Sequence, residues 1–90
     1  MDKYIGYIKP FDLKQNMAYR FISHQSLGDM FFHKTDLKAK FKLSQFTPDE
    51  IVVFSIRESS RVAGKFKGYD VELFNPELHS MTLLSIYKKL

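Results

Sequence analysis

The stretch MAYRFISHQSLGDMFFH (residues 17–33) decides the fold, because it contains two alternating runs that a turn signal separates. The first run, MAYRFIS (17–23), predicts a β-strand with Tyr19 and Phe21 on one face, since successive strand side chains point to opposite faces. A Gly-Asp pair, typical of turns, follows. MFFH (30–33) then predicts the next strand. The exposed faces of these two strands decide what the protein can bind.

The second strand indicates which of its faces is exposed. Phe31 and His33 share one face, and Met30 and Phe32 share the other. If Phe31 and His33 faced the core, a histidine would be buried while two large apolar side chains met water. The opposite assignment buries Met30 and Phe32 and leaves His33 in solvent, which is the better arrangement physically. We therefore expect Phe31 and His33 on the outer surface.

Three further runs predict strands, namely YIGYIKPF (4–11), IVVFSI (51–56) and YDVELF (69–74). A long, lysine-rich connection (34–50) separates the third strand from the fourth. Pro10 has no N–H to donate to a neighbouring strand, so it is expected at a strand end, an edge or a bulge. Five short strands with one long connection predict an all-β fold, a small closed barrel of five antiparallel strands.

The segment after the last strand has a different pattern. The Asn-Pro-Glu run at 75–77 suits a helix cap followed by proline at the first helical position. Apolar residues then recur at approximately helical spacing, which predicts a short amphipathic C-terminal helix over 76–89. A sixth strand through MTLLSIY (81–87) is the alternative, because threonine and isoleucine tolerate either state. We expect a barrel over residues 1–74 and a C-terminal extension over 75–90.

Composition bounds the class of protein. The chain has 90 residues, which suits one domain with one modest core. It contains no cysteine, which excludes disulfides, thiolate zinc sites and cysteine nucleophiles. The sequence shows neither a secretory signal nor an apolar run approaching the roughly 20 residues of a membrane span. We expect a cytoplasmic protein that does not associate with membranes.

Positive charge is concentrated in the first half of the chain. Residues 1–45 hold eight Lys/Arg and four Asp/Glu, whereas residues 46–90 hold six of each, which accounts for the net charge of +4. A basic half favours an anionic partner, of which nucleic acid is the commonest. Ordinary solubilising charge explains the count equally well.

Four flat side chains on two neighbouring strands would form a surface for stacking. If the predicted strands pair and their exposed faces coincide, the surface consists of Tyr19, Phe21, Phe31 and His33. Bases of an unpaired strand have exposed π-faces, and each base stacked on an aromatic side chain contributes about 1–3 kcal/mol. The alternative is that these aromatic side chains face the core, as alternating phenylalanines usually do.

The chain resembles the cold-shock domain in three segments. GYIKPFD (6–12) is similar to the family's Gly-x-Val-Lys-Trp-Phe-Asn opening, MAYRFI (17–22) to its Lys-Gly-Phe-Gly-Phe-Ile run, and DMFFH (29–33) to its Asp-Val-Phe-Val-His run. The last two predicted strands also fit the family, so the resemblance covers about residues 4–74. It implies an OB-type barrel that binds single-stranded RNA or DNA, about five to seven nucleotides at a time, without a cofactor. Such a protein acts as an RNA chaperone or as a regulator of transcription or translation.

The resemblance also implies roles for individual residues. The residues implied in base stacking are Phe11, Tyr19, Phe21, Phe31 and His33. The lysines expected to contact phosphates or the nucleic-acid backbone are Lys9, Lys34, Lys65 and Lys67. Phe41 or Phe46 is a candidate for the further ring that family members often carry on the long connection. Phe66 is either an exposed stacking ring or a core residue, and we favour the core.

The chain departs from the family pattern at several positions. Pro10 occupies the place of the family's tryptophan, so one stacking ring is missing. Met17, Ala18 and Arg20 replace the motif lysine and both glycines of the second segment. Arg20 falls on the face that Ile22 shares with the core, where an unpaired guanidinium is costly. Either the strand bulges at Arg20 or the side chain extends to an edge of the sheet. We expect weaker binding than a full motif provides.

Catalysis finds little support in the sequence. His24, His33 and His79 lie far apart without metal-ligand spacing, and the four glycines form no phosphate-binding loop. We therefore expect neither enzymatic activity nor a bound metal. The alternative function is a protein–protein interaction or oligomerisation module on the same barrel, with the apolar C-terminal segment binding a protein partner or a second copy of the chain.

Overall fold

The computed structural model describes residues 3–12, 18–59 and 64–79 of the chain. The strands within these ranges are β1 Tyr4–Ile8, β2 Tyr19–His24, β3 Gly28–His33, β4 Ile51–Glu58 and β5 Phe66–Leu73. Two single turns of 3-10 helix lie on the connection between β3 and β4, namely η1 Lys34–Asp36 and η2 Leu43–Gln45. The elements therefore follow the order that the sequence predicts.

The five strands close into a barrel in the order β1-β2-β3-β5-β4, and β4 pairs with β1 to complete the ring. This arrangement is consistent with an OB-like barrel. All pairs are antiparallel except β3 and β5, which run parallel where Phe31 faces Lys67. The expectation of a purely antiparallel barrel is therefore wrong. The reason is geometric, because a closed ring with an odd number of strands leaves at least two neighbours running in the same direction.

The strands differ from their predicted ranges mainly at the ends. β1 ends at Ile8, before Pro10, because proline cannot donate a backbone hydrogen bond to a neighbouring strand. β3 begins already at Gly28, whose φ of 76° closes the turn after β2. β5 begins at Phe66, three residues before the predicted start at Tyr69. The longer β5 matters for the site, because its first half pairs with β3.

A helical turn follows β5 at residues 76–79 and begins at Pro76, as predicted. His79, at the end of the turn, is buried, and its Nε2 lies 2.8 Å from Glu72 Oε1 on β5. The rest of the predicted helix, residues 80–89, lies outside the described residues, as does the alternative sixth strand. The division of the chain into a barrel and a C-terminal extension stays a prediction.

Inward-facing side chains of all five strands fill the barrel. The core cluster comprises Ile8, Ile22, Met30, Phe32, Phe46, Val52, Phe54 and Val71. Met30 and Phe32 are 3% and 0% exposed, which confirms the predicted inner face of β3. Burying a side chain of this size contributes about 1.5–3 kcal/mol. Because a slip of one residue would exchange the two faces of a strand, this burial also sets the register of β2 and β3.

A β-bulge in β5 controls which of its side chains face outward. Across residues 53–55 of β4 the pairing shifts, and β5 has one extra residue there. That residue is Asp70, whose φ of 49° lies in the left-handed region that aspartate tolerates. Val71 consequently enters the core, while Tyr69 and Lys67 lie on the outer face beside β3 and β4.

Candidate nucleic-acid interface

The outer surface of β2 and β3 carries four ring side chains in two opposed pairs. In the register of these strands Tyr19 faces His33, and Phe21 faces Phe31. The ring centroid of Tyr19 lies 4.9 Å from that of His33 and 5.9 Å from that of Phe31. We call the surface formed by these four residues the aromatic face. The structure thus brings together the four residues that alternation predicted on one surface.

The aromatic face is accessible to solvent. Phe21 is 45% exposed, and the other three side chains are half-buried. On the opposite side of the same strands, Ile22, Met30 and Phe32 are buried in the core and hold the strands in register. Covering exposed aromatic surface with another flat ring lowers the free energy, so this surface is suited to stacking an unpaired base.

The ring of His33 is held by the turn that follows β3. Its Nδ1 accepts a hydrogen bond from the backbone N–H of Thr35 (3.2 Å) and lies 2.8 Å from Thr35 Oγ1. The backbone N–H of His33 donates to Asp36 Oδ2 (2.9 Å), which completes a capping box around η1. Because Nδ1 accepts, the neutral ring carries its proton on Nε2. The ring is therefore preorganised at the edge of the aromatic face.

A row of outward-facing residues crosses the barrel through the aromatic face. We call it the central row, and backbone pairing joins its consecutive members, which are Lys9, Phe21, Phe31, Lys67 and Arg57. Lys9 follows β1, and its backbone N–H donates to the carbonyl of Phe21 (2.9 Å). Lys67 lies on β5 with its Nζ 5.7 Å from the ring centroid of Phe31. Two aromatic rings therefore lie between cations on both sides.

All three cations in the central row have a carboxylate partner, but the ion pairs differ in exposure and distance. Lys9 forms an ion pair with Asp29, in which the side chains are 38% and 50% exposed. An exposed ion pair contributes only about 0–1 kcal/mol, so a phosphate can compete for Lys9. Lys67 forms an ion pair of 2.9 Å with Asp36, and its own side chain is only 18% exposed. Lys67 is therefore less accessible to a ligand than the sequence suggested.

Asp36 is a buried carboxylate at the junction of η1, β4 and β5. It accepts from the backbone N–H of His33 and from Lys67, and Arg57 Nη2 lies 3.7 Å from its Oδ1. A buried carboxylate needs such partners, because an unpaired charge loses several kcal/mol of hydration. Sequence reasoning did not include Asp36 or Arg57 in the site. The spacing of Asp36 three residues after the capping residue is the signal that would have indicated it.

Arg57 and Tyr69 extend the site onto β4 and β5. The guanidinium carbon of Arg57 lies 5.2 Å from the ring centroid of Tyr69, and the Arg57 side chain is 59% exposed. Tyr69 lies two residues after Lys67 on β5 and shares its outward face. The predicted strand began only at Tyr69, so sequence reasoning did not place the two side chains together. Arg57 had no signal in the sequence either, because its neighbours depend on how β4 pairs with β5.

The two remaining predicted lysines flank opposite ends of the aromatic face. Lys34 follows His33 directly, and its backbone N–H donates to the carbonyl of Ala18 (2.8 Å). Lys65 precedes β5, which runs parallel to β3 and so begins near the start of that strand. Both side chains are exposed, and within the described ranges neither has an ion pair or a hydrogen bond. Both are therefore accessible to a phosphate.

Phe11 is half-buried, and Arg20 lies against its ring. The guanidinium carbon of Arg20 lies 3.7 Å from its ring centroid, and the ring packs against the core. Arg20 is 4% exposed and donates from Nε to the carbonyl of Phe46 (3.2 Å) and from Nη1 to the carbonyl of Tyr19 (2.9 Å). The pairing of β2 with β3 continues through Arg20, so the strand does not bulge there. Burial of the guanidinium lowers the pKa of Arg20 below its ordinary value.

Two other phenylalanines occupy different environments. Phe46 is 0% exposed and contacts Phe32 and Phe41, so it is a core residue and not a stacking ring. Phe66 is 40% exposed, and its assignment to the core is wrong, because the first residue of β5 lies at the mouth of the barrel. It lines an open cleft of about 470 Å³ together with Leu27, Gly28, Asp29, Met30, Gly64 and Lys65.

No family model matches the chain, and no curated protein matches it. Within the described ranges, no helix is long and apolar enough to cross a membrane. The same ranges contain no group of three or more His, Cys, Asp or Glu residues that could hold a metal ion. Functional assignment therefore depends on the geometry of the aromatic face and of the cations around it.

Proposed function

We propose that this protein binds single-stranded nucleic acid, chiefly RNA, by stacking unpaired bases on the aromatic face. One observation carries the proposal: two opposed ring pairs, Tyr19–His33 and Phe21–Phe31, lie outward on β2 and β3 while the alternate residues of both strands are buried. A protein of this kind holds RNA unpaired, as an RNA chaperone or a regulator of gene expression, and needs neither catalysis nor a cofactor.

Stacking and charge contribute in different ways to the proposed binding. Each stacked base contributes about 1–3 kcal/mol, and stacking tolerates any base because every base has a π-face. Cations at the edges of the face add a term that depends on salt, since each phosphate contact releases counterions. If about three phosphates are neutralised, the logarithm of the association constant falls with the logarithm of the salt concentration at a slope of about −2 for a single strand.

The resemblance to the cold-shock domain supports the same proposal. The segments 17–22 and 29–33 carry that resemblance, and they are the segments on which the aromatic face lies. The face is smaller than the resemblance implies, because Pro10 supplies no ring and Phe11 is covered by Arg20. We therefore propose an affinity below that of a domain with the complete motif.

A second candidate function is a protein-interaction module, and one feature of the barrel favours it. Tyr7 and Ile51 face each other across β1 and β4 and are 44% and 43% exposed. Leu78, on the helical turn after β5, is 66% exposed. These apolar side chains would suit a protein partner or a second copy of the chain.

The decisive experiment is a fluorescence anisotropy titration of the whole chain with labelled oligo(U) and oligo(dT) of about eight nucleotides. Binding that weakens between about 50 mM and 200 mM salt is expected for the intact protein. The double variant Phe21→Ala/Phe31→Ala should lose binding. Tyr7→Ala is the matched control, because Tyr7 is as exposed as Phe21 but lies outside the aromatic face.

Two outcomes would contradict the proposal. The first is absence of binding by the intact chain at micromolar concentrations of either strand. The second is an equal loss of binding in Tyr7→Ala and in the double variant, which would assign the interaction to the outer surface of β1 and β4. A change in sedimentation with protein concentration, lost in Tyr7→Ala, would then support the interaction module.

A further inference from the structure

The β4 end of the central row carries a cation that is both oriented and exposed. Arg57 lies directly opposite Lys67 in the register of β4 and β5, and Lys67 in turn faces Phe31. The side chain of Arg57 is 59% exposed, whereas that of Lys67 is 18% exposed. Of these two cations on the β5 side of Phe31, Arg57 has room for a ligand.

Two contacts orient the guanidinium of Arg57 without using up its donors. Its carbon lies 5.2 Å from the ring centroid of Tyr69, which is within the range of a cation–π contact. Its Nη2 lies 3.7 Å from Asp36 Oδ1, which is an ion pair and too long for a hydrogen bond. A guanidinium has five N–H donors in a planar fork that matches two oxygens of a phosphate. Arg57 is thus held in place while its donors remain accessible.

Asp36 explains why Arg57 rather than Lys67 is accessible. Asp36 Oδ2 accepts from Lys67 and from the backbone N–H of His33, both at 2.9 Å. Only the longer contact, through Oδ1, reaches Arg57. The three charged groups together carry a formal charge of +1, so an anion is attracted to this cluster. A phosphate can replace the long contact to Arg57 and leave the buried Lys67–Asp36 pair intact.

From this arrangement we infer that Arg57 binds a backbone phosphate of the single strand whose bases stack on the aromatic face, with Tyr69 and Asp36 positioning its guanidinium. The inference rests on the proposed function and deepens it. It implies that the bound strand runs from Phe31 across β5 to β4, along the central row. Lys67 then acts mainly as the partner of Asp36.

The test compares the salt dependence of oligo(U) binding by the intact protein, Arg57→Gln, Arg57→Lys and Lys42→Gln. Arg57→Gln should bind about eightfold more weakly at about 50 mM salt and almost equally near 1 M, because one phosphate contact changes log K by about 0.7 per tenfold change in salt. Arg57→Lys keeps the charge and should retain most of the slope of the logarithm of the association constant against the logarithm of the salt concentration. Lys42→Gln is the control, since it removes the same charge from an exposed position outside the central row.

Side-chain NMR supplies a second readout that reports on Arg57 directly. The Nε–Hε resonance of Arg57 should shift on addition of oligo(U). If the intact protein binds while Arg57→Gln keeps the full slope, or loses no more of it than Lys42→Gln, the inference is overturned and the proposed function stands. If the intact protein does not bind either strand, the proposed function fails and the role of Arg57 fails with it.

Discussion

Replacement of Phe21 by alanine should separate binding from stability. The ring is 45% exposed, so its removal loses about half of the 1.5–3 kcal/mol that full burial of such a side chain contributes. We therefore expect the free energy of unfolding to fall by about 1 kcal/mol. The same change removes a stacking surface for one base, which contributes about 1–3 kcal/mol. The dissociation constant for oligo(U) should consequently rise by about 5- to 150-fold.

Phe11→Ala is the matched comparison, because it removes the same ring from a position where Arg20 and the core cover it. The change loses packing and a cation–π contact that contributes about 0.5–2 kcal/mol. We expect the free energy of unfolding to fall by about 2–4 kcal/mol. Binding by the folded fraction should change by less than about threefold, since Arg20 and the core already occupy much of the ring surface.

Urea denaturation followed by circular dichroism gives the free energy of unfolding for both variants. Anisotropy titrations at a temperature where both variants are folded give the dissociation constants. The expected pattern is a large binding defect in Phe21→Ala and a large stability defect in Phe11→Ala. The reverse pattern would refute the assignment of Phe21 to an open stacking surface and of Phe11 to a covered one.

Three further predictions concern stability. Asp36→Asn should lower the free energy of unfolding by about 2–4 kcal/mol, because it leaves Lys67 without its buried partner; an unchanged urea midpoint would contradict this. Burial lowers the pKa of His24 below its ordinary value of 6.5, and its Nδ1 accepts from the backbone N–H of Leu27 (3.1 Å). Its contribution to stability is therefore complete above pH 6.5 and is lost as the pH falls towards the lower pKa of the folded state. Thermal unfolding at a series of pH values should show this decline, and His24→Gln should reduce it. Gly6→Ala should destabilise the barrel by about 1–3 kcal/mol, because the added Cβ would lie 2.6 Å from the carbonyl oxygen of Ser23; a melting temperature equal to that of the intact chain would show that the strands can separate there.

The faces of β2 and β3 were predictable from sequence because a strand has a strict period of two. Once His33 was assigned to solvent, Met30 and Phe32 had to enter the core, and both are buried in the structure. Tyr19 and Phe21 followed by the same rule. Local alternation therefore predicted the two pairs of rings, and the pairing of β2 with β3 joined them into the aromatic face.

The environment of covered groups was not predictable in this way. Arg20 broke the alternation of β2, and the sequence left open a bulge or an extended side chain. The answer depended on the carbonyl of Phe46, which lies 26 residues away along the chain, and on the ring of Phe11. Phe11 and Phe21 look equivalent in sequence, and only the position of the Arg20 guanidinium makes one covered and the other open.

The sequence by itself indicated the five strands, their order along the chain and which two rings share a face on each of β2 and β3, because each of these follows from the period of a single strand. That the two pairs of rings form one outer surface depended on the pairing of β2 with β3. Tertiary structure alone decided that β5 inserts between β3 and β4, and that its bulge at Asp70 turns Lys67 outward beside Phe31. It also decided that Asp36 forms its closer ion pair with Lys67 and leaves Arg57 accessible. These features depend on pairing between strands that are far apart in sequence, and no local sequence pattern specifies which strands pair.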